Sequence, residues 1–139
     1  MRASLVFVAA LSLWVSPGCQ APQVQDPMAP LAMESAHELH RVRGWPVLLN
    51  GDWAAAQPAL RDAVLEHLDV HLYIVERAVQ GERLEHLREV PIWVEPNDPH
   101  DRLGGMCYHP DAGWLEAHGY DPRRALGVEI SDPEMFLGV

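Results

Sequence analysis

Residues 107–122, "CYHPDAGWLEAHGYDP", crowd Cys107, His109, Asp111 and His118 among aromatic residues, prolines and glycines, with no hydrophobic period running through them. Thiol, imidazole and carboxylate are the groups that ligate zinc or carry protons in catalysis. With His100 and Asp101 just upstream, Cys107, His109 and Asp111 belong to a run of potential ligands. Their spacing does not make a dedicated zinc motif, because Cys107 and His109 are two apart and no paired CxxC accompanies them. The composition fits first a packed surface loop and second a wall facing a substrate, where aromatic rings beside hydrogen-bonding groups are the usual material. A zinc site is the third reading.

A second pair, His67 and His71, stands four residues apart, the spacing that points two imidazoles the same way on a helix. The metalloprotease motif HExxH places Glu directly after its first His, and Leu68 occupies that position here. These histidines flank an apolar stripe and read as boundary residues, with zinc ligation as the weaker alternative. "HELHR", 37–41, misses the same motif because Arg41 stands where the second His belongs. The sequence contains no GxSxG elbow, P-loop or GxGxxG, so neither a serine nucleophile of that type nor nucleotide chemistry is supported.

The elements that must position these residues follow from periodicity. Leu60, Val64, Leu68, Leu72, Val75 and Val79 share one face of a helix expected over 58–79, with Pro58 in its first turn and Gly81 past its end. Strands are expected at 44–50, stopped by an Asn50-Gly51 turn, at 90–96, and at 127–131. Short helices are expected at 82–89, at 111–119 with Asp111 as cap, and at 121–127 with Asp121 as cap and Pro122 following. "DPEMFLGV" starts a further turn, and "NDPHDRLGG" reads as loop. The fold class is α+β: a small sheet with one long amphipathic helix and short loop helices.

Length allows one domain. Arg2 followed by the apolar run Leu5 to Val15 and by Ser16, Pro17 and Gly18 reads as a signal peptide over 1–18, too short to span a bilayer. Residues 19–39 read as a proline-containing tether, with order beginning near His40. Cys19 stands where a bacterial lipoprotein carries its acylated cysteine, so membrane anchoring and ordinary signal cleavage are both open. A Cys19–Cys107 bridge is open only without acylation. Twenty acidic residues against ten basic ones, all Arg, repel a phosphate backbone and argue against nucleic acid as a partner.

"VPIWVEPNDPH", "CYHPDAGWLEAHGYDP" and "GVEISDPEMFL", in this order, resemble a family of secreted, mostly bacterial zinc metallopeptidases with a zincin-like fold. There a segment like YHP…WL…GYNP is followed by VEI.N…F and then by an HExxH helix. The resemblance covers about 40–137, with Asp111 and Asp121 standing where Ser and Asn are more usual. It implies a partial zincin-like domain over 40–139 whose relatives bind zinc and act on peptides or proteins. Val128, Glu129, Ile130 and Ser131 would form the edge of a cleft, and Tyr108, His109 and Trp114 its wall. This sequence contains no HExxH, so no catalytic residue or cofactor is carried over, and the chain is expected to be an inactive N-terminal part of such an enzyme. The alternatives are a small exported lipoprotein or interaction module without enzymatic activity, and a metal-binding module using His67 and His71 with the loop cluster.

Overall fold

The computed structural model describes residues 36–96 and 105–138. Cys19, the signal peptide and the tether up to residue 35 lie outside them, as do His100 and Asp101. The fold is α+β, a sheet of five strands with helices against it.

Strand β1 (His37–Val42) turns through Arg43 and Gly44 into β2 (Trp45–Asn50), pairing antiparallel with Val42 opposite Trp45. Both turn residues have positive φ, 51° and 91°, as a tight two-residue hairpin whose twist matches its strands requires. "HELHR" is therefore a strand, and order begins before His40. The run "WPVLLN" of β2 is buried almost throughout because it lies between β1 and the parallel β3 (Ile92–Val94), with both faces covered.

Between β2 and β3 run three helices: α1 (Gly51–Ala56), α2 (Pro58–Ala78) and α3 (Glu82–Arg88). Asn50-Gly51, expected to be a turn, instead opens a helix. The Asn50 side chain accepts the Trp53 backbone N–H at 3.0 Å, the bond of an N-cap. Gly51 is needed for a different reason: a Cβ there would stand 2.6 Å from the Ala36 carbonyl oxygen, which its own N–H meets at 3.2 Å.

Helix α2 follows the expected bounds to within a residue, and Val64, Leu68 and Leu72 are its buried stripe. They pack on the alternate residues of the strands that face them, Val47, Leu49, Ile92, Val94 and Ile130, and form the main core with Trp45 and Trp53. The opposite face of the sheet carries a smaller apolar group, Leu48 and Trp93 with Leu39 against them, and then turns polar.

Strand β5 (Gly127–Ile130) pairs parallel with β3 on one side and antiparallel with β4 (Met106–His109) on the other, giving the order β1-β2-β3-β5-β4. The start of the stretch expected to be loop is thus a strand, and among the described residues it takes the end of the sheet. Helix α4 (Ala112–Ala117), capped by Asp111 and anchored by the fully buried Leu115, and a 3-10 turn (Pro122–Arg124) capped by Asp121 link β4 to β5. Helix α5 (Pro133–Leu137), capped by Asp132, closes the described chain with Phe136 turned into the core.

Candidate functional site

Side chains alternate across a strand, so His37 on β1, Asn50 on β2, Glu129 on β5, and Cys107 and His109 on β4 all fall on the sheet face away from α2. Cys107 lies directly across from Glu129. On this face they meet Glu95, just past β3, and Arg124 from the 3-10 turn.

Glu129, 2% exposed, is held from both ends. Arg124 Nη1 donates to its Oε1 at 2.8 Å, and His109 Nε2 donates to its Oε2 at 2.6 Å. The Cys107 Sγ approaches the same His109 nitrogen at 3.5 Å. Glu95 lies at the other end of the network, bonded to His37 and, at 3.1 Å, to the Asn50 amide, with Arg124 at 3.8 Å. Burial pushes the Glu95 carboxyl up, but the hydrogen bond and charge of His37, the charge of Arg124 and the Asn50 amide outweigh it and hold the group below the usual carboxylate range. Two buried carboxylates thus share one guanidinium, and two histidines supply further hydrogen bonds.

This arrangement is not a nucleophile relay. In a Cys–His–carboxylate triad the thiol and the acid address opposite ring nitrogens, so that one activates while the other orients. Here both converge on Nε2.

Tyr108, His109 and Trp114 do come together, lining a groove of about 450 Å³ with Cys107, Pro110 and Asp111. Trp114 stacks on His118 at 4.1 Å and lies 5.8 Å from Tyr120, which makes one flank of the groove aromatic. Val128, Glu129 and Ile130 do not share that position. Their strand is paired on both sides, so it offers no backbone edge; β4 is the end strand among the described residues. Val128 and Ile130 face α2 and line a second, apolar groove of about 490 Å³, with Leu68, Leu72, Met106 and Phe136 also on its walls.

His67 and His71 bring their Nε2 atoms to 3.0 Å and pack on Phe136, with ring centres 5.0 and 5.8 Å away. Among the described residues, no further His, Cys, Asp or Glu ligand atom joins them. The zinc that the zincin resemblance implies requires three protein ligands and a carboxylate base. This pair, two imidazoles without a third ligand among the described residues, does not fit it.

His37, Asn50, Glu95 and Arg124 were not legible as site residues. Glu129, expected at the edge of a cleft, is instead buried on a strand paired on both sides, with Arg124 of the 3-10 turn bonded to it. Comparison with protein-family models, curated proteins and solved structures finds no match for this chain, and the site is read from its own geometry.

Proposed function

We propose that this protein is part of an exported zincin-like metallopeptidase, and that its sheet forms the wall along which an extended peptide lies. The reading is supported chiefly by one observation: β4 ends the sheet among the described residues, and its Tyr108 and His109 line the aromatic groove beside it. A terminal strand offers backbone N–H and C=O groups to an added strand, while alternate side-chain pockets supply selectivity. Hydrolysis is assigned to an HExxH helix that this sequence does not contain.

The apolar groove between α2 and β4 is consistent with that assignment. It runs beside Leu68, Leu72 and Val75 of α2 and over Ile92, Val128, Ile130 and Met106 of the sheet, where a second helix would complete the layer. Export rests on the reading of residues 1–18, and Cys19 is the anchoring residue if the chain is lipidated.

Hydrogen exchange tests the peptide reading. A peptide of alternating apolar residues should slow exchange of the Met106–His109 amides, and the same peptide N-methylated on alternate residues should not. Equal effects of both peptides, or no protection at β4, would overturn it. Chelator-sensitive cleavage of casein by the 139-residue chain would overturn the assignment of hydrolysis to a helix outside it.

A further inference from the structure

Among the described residues, one group of three ligating side chains converges within 4.8 Å: Cys107 Sγ, His109 Nε2 and Glu129 Oε2. We infer that these three residues form a zinc site, with the fourth coordination position opening on the groove lined by Tyr108 and Trp114. Neither His67 nor His71 takes part, and the site is separate from any hydrolytic centre on an HExxH helix.

Geometry carries the inference. The Sγ to Nε2 separation of 3.5 Å already matches the edge of a tetrahedron whose zinc–sulfur and zinc–nitrogen bonds are about 2.3 and 2.0 Å. The Nε2 to Oε2 distance of 2.6 Å must open to about 3.3 Å, the corresponding edge for two bonds of about 2.0 Å. Rotation of one carboxylate supplies that change. Convergence of thiol and carboxylate on one ring nitrogen, which disqualifies a relay, is what a shared metal demands.

The backbone holds the donors in place. Cys107 and His109 are two apart on β4 and therefore point to one face, and Glu129 sits directly across from Cys107 on β5. Arg124 occupies Oε1 of Glu129 and leaves Oε2 to ligate, the role that outer hydrogen bonds play around metal carboxylates. Thiolate, imidazole and carboxylate together suit zinc rather than magnesium or calcium, which take oxygen ligands. A thiolate and a carboxylate neutralise the dication, so burial of the assembled centre is not opposed by net charge. Cys107 is half-buried and, like His109, lines the groove, which gives the metal its way in and the fourth ligand its place.

The test is titration of the reduced, metal-stripped protein with Zn²⁺ against a chromophoric chelator, and with Co²⁺ followed by absorption. One equivalent should bind, and Co²⁺ should show both the thiolate charge-transfer band and the visible bands of a tetrahedral ion. Cys107→Ser, a near-isosteric change at a half-buried position, should abolish the charge-transfer band while the circular dichroism stays unchanged. His109→Ala should lose stoichiometric binding, and the double variant His67→Ala, His71→Ala should keep it. No binding at micromolar free Zn²⁺ overturns the inference, as does binding that survives Cys107→Ser or disappears in the His67, His71 double variant. The readouts are metal and thiolate signals, so they stand or fall separately from peptide binding at β4.

Discussion

Arg124 is the residue on which the polar face depends, because its guanidinium is the cation shared by Glu95 and Glu129. Removing one partner of a buried ion pair leaves an uncompensated charge, so Arg124→Ala should lower stability by about 3–5 kcal/mol, read from urea denaturation at neutral pH. Glu95 makes a second prediction through linkage. Its folded pKa lies below the ordinary value, so the native state binds its proton less readily than the unfolded chain. The resulting stability is complete above the unfolded value of about 4.3 and is lost as pH falls through the lower folded value. Urea midpoints measured from neutral to acid pH should therefore drop, and Glu95→Gln should flatten that acid limb. None of this was readable residue by residue, since an isolated Glu in a strand carries no mark of what will cover it.

At the scale of elements, α2 joins the sheet through a narrow stripe. Leu68 is 4% exposed while Val70, on the same helix, is 53% exposed. Leu68→Ala should cost about 2–5 kcal/mol through lost transfer energy and a residual cavity, whereas Val70→Ala should stay within about 0.5 kcal/mol. Asn50 shows two functions in one side chain: its oxygen caps α1 and its nitrogen bonds Glu95. Asn50→Asp keeps the capping oxygen but sets a carboxylate against Glu95. Asn50→Ala should lose roughly 1 kcal/mol for the cap and more for the buried amide bond, and Asn50→Asp should also destabilise, which a cap alone would not predict. Thermal melts of the two variants separate these contributions.

At the scale of the molecule, the described residues cover one half of the sheet more fully than the other. Helix α2 lies over the main core, and the apolar groove beside it leaves Met106 and Tyr108 more than half exposed, at 58% and 52%. An apolar surface of this kind favours association. The chain should therefore sediment with concentration-dependent mass, and Met106→Arg should reduce that association without lowering the urea midpoint. A mass independent of concentration for the unsubstituted chain would remove the groove from consideration as a contact surface.

The sequence by itself determined what local periodicity and turn chemistry encode: the long helix from Pro58, the strands at "WPVLLN", "IWV" and "GVEI", and the caps at Asp111 and Asp121. Each depends on neighbours a few residues away. Tertiary structure alone decided that β5 runs inside the sheet and that β4 ends it among the described residues, because strand order is set by pairings between distant segments. It also brought Cys107, His109 and Glu129 to one point and closed Arg124 over Glu95 and Glu129, since a period of two says which residues share a face but not which strand will lie alongside.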